Sequence, residues 1–419
     1  MTAVNPGTLV IGAGQAGVQV AASLRGFGYS DSITLVGQEN ALPYQRPPLS
    51  KAYMLGNTSR ESLLLRKQEF FDNKKIDVVT GVSIVDIAMN SDGPGGVAST
   101  DAGTNIPFAD LALTLGSIPR RLPLAGESAS NVYYMRTVDD ADRLGAGVAD
   151  AETVVVIGGG FIGLEAASVL RALGKRVTVV EAQPNLLARV AGPVLGDFYV
   201  DAHRRRGVDV RLGYGVERFD LDSLGRVASV SLVGGERLPC DVVVVGIGVE
   251  RDRTLAKCLD LEWDRGIVVD SAARTSRPNV VAAGDCTVGP HPLSSCSIRL
   301  ESVQNAVDQA KIAAATICGL PASYTSVPWF WSDQGSIKLQ MAGLLEGFDS
   351  TVVRGDPGDT DAESFSVLYL RAGRVVAVES VNRPLDFMAV RKALTKSATF
   401  VDDVAALSDC TVPLSDALS

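Results

Sequence analysis

Residues Thr8–Gln38 read TLVIGAGQAGVQVAASLRGFGYSDSITLVGQ, which is an apolar strand, a glycine-rich turn, a helix and a second apolar strand in succession. The turn places its glycines at Gly12, Gly14 and Gly17. The first permits the tight strand-to-helix bend, the second lets a pyrophosphate approach the backbone, and the third allows the helix to pack closely on the strand. The N-terminus of that helix then faces the anion. The same order recurs at Val154–Glu181, VVVIGGGFIGLEAASVLRALGKRVTVVE, with glycines at Gly158, Gly160 and Gly163. Two such βαβ units predict an α/β protein with two doubly wound dinucleotide-binding domains.

The two units differ at the end of their second strands. Glu181 stands 23 residues after Gly158, at the end of the run Val177-Thr178-Val179-Val180. A carboxylate there accepts hydrogen bonds from ribose hydroxyls and repels a 2′-phosphate, so NADH is expected over NADPH. Arg189 is the cation placed to oppose that preference, whereas Lys175 and Arg176 precede the strand. In the first unit the corresponding place holds Gln38, with Glu39 one residue later. An amide can also hydrogen-bond a ribose hydroxyl.

Working outward, Ile84–Leu115 is strand-rich, and Leu111–Leu115 reads as a buried strand re-entering the first sheet. Val280–Asp285 repeats an apolar strand that ends on a carboxylate, and 301–318 has helical periodicity. From about Ser326 the texture shifts to strands at Ile337–Met341, Ser366–Leu370 and Val375–Val378, then a helix near Pro384–Leu394. The expected division is a discontinuous first dinucleotide-binding domain at 1–115 and 246–325, a second one, for NADH, at 116–245, and a smaller α+β C-terminal domain at 326–419.

Composition narrows the function classes. With 419 residues and 46% hydrophobic content the chain has ample material for several cores. A net charge of −9 without long single-sign blocks argues against nucleic acid, and Arg204-Arg205-Arg206 reads as a solvated helix face. No basic segment precedes an apolar one at the N-terminus and no apolar run reaches a membrane-spanning length, so a cytoplasmic protein without a membrane partner is expected. The six cysteines form no CxxC pair and suggest no metal site. His203 and His291 read as surface or loop residues.

The segment Leu42-Pro43-Tyr44-Gln45-Arg46-Pro47-Pro48-Leu49-Ser50-Lys51 is far narrower than either glycine turn. It resembles the putidaredoxin reductase-like ferredoxin reductases that serve bacterial cytochromes P450 and Rieske oxygenases. Further matches are Tyr134–Thr137, the GGGFIGLE run ending at Glu165, Ala283-Gly284-Asp285-Cys286, Glu301–Ala306 and Trp329–Gln334. They span essentially the whole chain. The resemblance implies a glutathione reductase-like fold with FAD on the first turn and NADH on the second. It carries FAD contacts to Ala16, Gln38, Lys51, Ile84, Arg136, Asp285 and Val303, beside Gly12, Gly14, Gly17, Glu39, Arg46 and Trp331. The NAD set is Gly158, Gly160, Ile162, Gly163, Glu181 and Arg189. Lys51 is placed near flavin N5 and paired with Glu165 beside the nicotinamide, where an ammonium favours hydride arrival. The chain departs from the family at Thr114-Leu115-Gly116 and at Val249–Asp252.

The implied activity is hydride transfer from NADH to FAD, then single-electron transfer to a small [2Fe-2S] ferredoxin feeding a P450 or Rieske oxygenase. Arg66, Lys67, Arg299 and Lys338 are candidates for a basic docking rim. A reductase of rubredoxin or another small acceptor is the near alternative, and a flavin-bound interaction protein of the apoptosis-inducing-factor type a more distant one. A disulfide reductase is disfavoured because Gly12–Leu49 contains no cysteine.

Overall fold

The computed structural model describes residues 6–418, apart from 92, 398 and 402. The chain groups into two compact units, one formed by 1–45, 61–118 and 250–328, the other by 46–60, 119–249 and 329–419.

In the first unit a five-stranded parallel sheet runs in the order Val280–Ala282, Asp110–Leu113, Thr8–Ile11, Ile33–Val36, Asp77–Val79. Its inner strands are apolar along their whole length because helices cover both faces, and Leu9, Val10, Leu111 and Ala112 are buried. The helix Gln15–Gly26 packs against the helix Val303–Ile317. This arrangement joins the chain's beginning to its later third, as the apolar runs at Leu111 and Val280 predict. The strand-rich region resolves into the antiparallel strands Ile84–Met89, Gly96–Thr100 and Asn105–Phe108.

The second unit contains a parallel sheet ordered Asp209–Leu212, Arg176–Glu181, Thr153–Ile157, Val242–Val245, Val132–Tyr134. It also contains a five-stranded antiparallel sheet, Trp329–Gln334, Ile337–Gly343, Arg374–Val381, Phe365–Arg371, Ser350–Gly355, backed by the helix Pro384–Lys396. The short 3-10 turn Pro47–Ser50 belongs to this unit and packs on the helix Phe161–Ala172. Two prolines at its start pre-set the backbone angle the turn requires.

Of the two histidines, expected at surface or loop positions, only His203 departs from that expectation. His203 lies in the helix Pro193–Arg205, 1% exposed, and His291, though in a loop, is also buried. The basic neighbours of His203 suggest a wet face, but Arg205 and Arg206 pair with Glu363 and leave the imidazole on the inward side. No helix among the described residues is long and apolar enough to cross a membrane.

Candidate functional site

The two glycine turns share one geometry. Gly12 has φ +108° and Gly158 φ +109°, a region costly for any residue with a Cβ. A Cβ on Gly17 would lie 2.0 Å from the Gly12 carbonyl oxygen, and one on Gly163 2.1 Å from that of Gly158. At Gly14 and Gly160, by contrast, a Cβ would meet no other side chain or distant backbone within 4 Å. Each turn is therefore closed on its packing side and open in front of the helix N-terminus, which fits a pyrophosphate.

In the first unit, several expected FAD residues gather around the first turn. The Thr114 hydroxyl lies 2.8 Å from the Gly12 carbonyl oxygen and 3.0 Å from that of Ile11, so this departure from the family pattern still ties the turn to the next strand. A Cβ on Gly284 would lie 3.3 Å from the Ala16 methyl, and the Gly284 N–H donates to Gln309 Oε1 at 2.8 Å. Asp285, half-buried, accepts a hydrogen bond from Ser117 at 3.3 Å. Val303 opens its helix behind the cap Ser302, whose Oγ accepts from the Asn305 N–H at 3.0 Å. Gln38 is exposed at the end of the second strand, while Glu39 accepts a hydrogen bond from the Tyr44 hydroxyl. Ile84 is buried in the neighbouring core.

In the second unit, Glu181 is held above the second turn. Its Oε2 accepts from the Gly159 N–H at 2.6 Å and its Oε1 from the Gln183 N–H at 2.8 Å. Arg189 is exposed and reaches toward the Ile247 carbonyl at 3.4 Å, while Ile162 is exposed on the first turn of its helix. Arg46 donates to the Arg136 carbonyl at 2.8 Å. Arg136 itself sits just ahead of a capping box, in which Asp140 accepts from the Arg136 and Thr137 N–H groups. Trp331 is half-buried, its ring centroid 5.5 Å from that of Trp329.

Also within this unit, Lys51 Nζ lies 2.6 Å from Glu165 Oε2, the carboxylate being nearly buried. Two hydroxyls complete its shell: Ser50 donates to Oε2 at 2.6 Å and Ser332 to Oε1 at 2.6 Å. The ammonium makes a second bond to the Pro47 carbonyl at 3.2 Å. A buried ion pair persists only when its spare lone pairs and protons are satisfied, and this one is. Neither serine is anticipated from spacing. The usable signal is the alternation in Trp329–Gln334, where Ser332 and Gln334 are polar residues on one buried face.

The expected docking cations are all exposed, but three are already engaged: Lys67 with Glu61, Arg299 with Glu301, and Arg66 over the Phe70 ring. Among the described residues no group of His, Cys, Asp and Glu is arranged to hold a metal.

Comparison with known proteins gives concordant matches. Residues 7–310 match the family described as pyridine nucleotide-disulphide oxidoreductase, and residues 329–418 the one described as reductase C-terminal. The rhodocoxin reductase of Rhodococcus erythropolis is 44% identical over 401 residues, 96% of this chain and 92% of that one. The ferredoxin reductase subunit of 5,5'-dehydrodivanillate O-demethylase from a Sphingobium species is 41% identical over 411 residues, 97% of each. The solved covalent complex of putidaredoxin reductase with putidaredoxin superposes with a TM-score of 0.92 at 38% identity, covering 98% of this chain and 97% of that one. Despite the family's description, the region that would carry a redox cysteine, Gly12–Leu49, has none. Burial pushes the thiols of Cys240 and Cys286 up to about 12 and about 11, far from the thiolate that disulfide exchange needs. The chain thus belongs to the pyridine nucleotide-disulphide oxidoreductase family, among its FAD- and NAD(P)H-dependent ferredoxin reductases.

Proposed function

We propose that this chain is an NADH-dependent reductase of a small [2Fe-2S] ferredoxin that feeds a P450 or Rieske-type oxygenase in the cytoplasm. The observation that carries the reading is a half-buried cation on a buried carboxylate with no thiol relay: Lys51 is paired with Glu165 at 2.6 Å, yet no cysteine lies between Gly12 and Leu49. Electrons then have no internal disulfide to reach and must leave for an external acceptor. The relatives named for ferredoxin reduction support the same partner class.

In this reading, residues 1–115 and 246–325 hold FAD, 116–245 hold NADH, and 326–419 form a smaller α+β C-terminal domain. FAD supplies the conversion of a two-electron donor into two single-electron deliveries. The chain's part is positioning and electrostatics. Gly12, Gly14, Ala16 and Gly17 receive the FAD pyrophosphate, with Gln38 and Glu39 at the ribose and Arg46 and Arg136 as cationic contacts. Ile84, Asp285, Val303 and Trp331 line the remaining length, the N–H groups of the Val303 helix favouring negative charge. Gly158, Gly160, Ile162 and Gly163 receive NADH, and Glu181 selects against a 2′-phosphate while Arg189 remains the opposing cation. Lys51 holds positive charge beside the hydride acceptor, and Glu165, 2.6 Å from its Nζ, keeps that ammonium aimed.

Anaerobic titration with NADH and NADPH, then a panel of ferredoxins and rubredoxins with cytochrome c as reporter, tests the proposal. Bleaching at lower NADH than NADPH, with cytochrome c reduction dependent on a ferredoxin, is expected. Reduction supported by rubredoxin alone, or equal use of both nucleotides, overturns the corresponding half of the reading.

A further inference from the structure

Behind Glu165 the polar contacts continue into the interior instead of ending. Ser332 and Gln334, two residues apart on one strand, leave on the same face and are 0% and 1% exposed. Gln334 Nε2 donates to Ser332 Oγ at 3.3 Å, and Gln334 Oε1 lies 2.7 Å from His203 Nε2. His203 is buried on the helix Pro193–Arg205, one turn after Tyr199, whose ring stacks at 6.1 Å between centroids. The result is one line of groups running inward from the half-buried Lys51 through the buried Glu165, Ser332, Gln334 and His203.

The charged end of this line dictates the direction of every bond in it. An ionised carboxylate only accepts, so the Ser332 proton is committed to Glu165 Oε1. Ser332 can then receive only from an N–H, which orients the Gln334 amide with its NH2 toward the serine and its carbonyl toward His203. That carbonyl requires a proton on His203 Nε2. A neutral imidazole has one N–H, so Nδ1 must be bare, and Nδ1 is the ring atom with no hydrogen-bond partner among the described residues. Burial and the nearby Arg206 cation both hold this imidazole below its ordinary titration range, against the Gln334 contact. A second ring proton would have no acceptor.

We infer that Ser332, Gln334 and His203 are positioning residues that set the polarity of a buried hydrogen-bond chain, fixing Glu165 as a pure acceptor and thereby the place of the Lys51 ammonium. The inference rests on the proposed role of Lys51 and Glu165 beside the reacting nicotinamide. It makes a histidine with no access to substrate a determinant of the hydride-transfer rate. Reversing the chain would turn the Ser332 proton away from Glu165 and leave Oε1 facing a lone pair, which in a dry interior is costly.

The chain has only two histidines, so the tautomer can be read directly in holoenzyme labelled with 15N-histidine. Long-range 1H–15N correlation, assigned with His203→Gln, should show His203 neutral and protonated at Nε2 at pH 7. An Nδ1–H tautomer or an imidazolium overturns the inference. Stopped-flow reduction of the bound flavin by NADH provides the second measurement. Ser332→Ala should lower the limiting rate roughly tenfold, the scale of a lost hydrogen bond to a charged group, without weakening NADH affinity. Ser332→Thr, which keeps the hydroxyl, should restore the rate. Gln334→Glu, nearly isosteric but unable to donate to Ser332, should slow reduction and leave His203 as an imidazolium. A slow Lys51→Met beside an unchanged Ser332→Ala refutes the positioning role alone. If Lys51→Met is itself unimpaired, the proposed role of the pair fails, whatever the tautomer proves to be.

Discussion

Glu181 uses both carboxylate oxygens on backbone N–H groups of Gly159 and Gln183, so its charge is fixed in place before any nucleotide arrives. Replacing it with glutamine keeps the shape and removes the charge. Glu181→Gln is expected to lower kcat/KM for NADH modestly and raise it for NADPH, so that the ratio falls roughly tenfold. Steady-state kinetics with both nucleotides check this, and an unchanged ratio would assign selectivity elsewhere. At this scale legibility depended on sequence distance. The spacing of Gly158 and Glu181 could be read directly because one βαβ unit encodes it. The pairing of Lys51 with Glu165 joins a 3-10 turn to a helix far along the chain, and only the family resemblance linked them. Ser332 and His203 were not legible, since a serine on a strand and a histidine beside three arginines carry no local sign of what they face.

Elements decide how rigidly those residues are presented. The helix Val138–Val148 begins with a reciprocal cap: Thr137 Oγ1 accepts from the Asp140 N–H at 3.1 Å, and Asp140 Oδ2 accepts from the Thr137 N–H at 2.9 Å. Because the same carboxylate also takes the Arg136 N–H at 3.1 Å, the cap fixes the backbone of an expected FAD contact. Thr137→Ala is expected to cost about 1 kcal/mol in a urea unfolding titration and to raise flavin loss on dilution. A harsher effect belongs to Gly17→Ala, whose methyl would lie 2.0 Å from the Gly12 carbonyl oxygen. That helix must move away from its strand, so the purified variant should retain far less FAD while keeping its far-UV circular dichroism. Normal flavin content would remove the packing argument for Gly17. The parallel strands were legible because burial on both faces makes them continuously apolar. The strands Trp329–Gln334 and Ser350–Gly355 were less so, since polar residues such as Ser332, Gln334 and Arg354 stand inside them.

Across the whole molecule, two buried titrating groups act on stability in opposite senses. Glu379 accepts from the Tyr369 hydroxyl at 2.6 Å and from the Gly192 N–H at 3.0 Å, joining the antiparallel sheet to the start of the helix Pro193–Arg205. Burial nonetheless dominates and pushes its carboxyl up to about 7 from 4.5. A raised acid contributes stability that is complete below about 4.5 and lost as pH climbs through about 7, on the order of 3 kcal/mol in all. His203, whose value is lowered by burial, works the other way: its contribution is present above about 6.5 and fades as pH falls. The two partly cancel through mildly acidic pH. Glu379→Gln should remove one side of that balance, so that the change in stability from pH 5.5 to pH 7.5 becomes more favourable than in the parent protein. Urea midpoints at the two pH values measure it, and an unchanged difference would mean that Glu379 is not titrating in this interval. The burial of both histidines has a further consequence for anyone studying the electron acceptor. Both histidines are buried, so no histidine, the side chain whose ordinary pKa lies in the physiological range, is exposed on the surface. Among the described residues, the surface this reductase shows a ferredoxin therefore carries no imidazole that gains charge as pH falls through about 6.5, and a histidine-type pH dependence of complex formation would report on the ferredoxin.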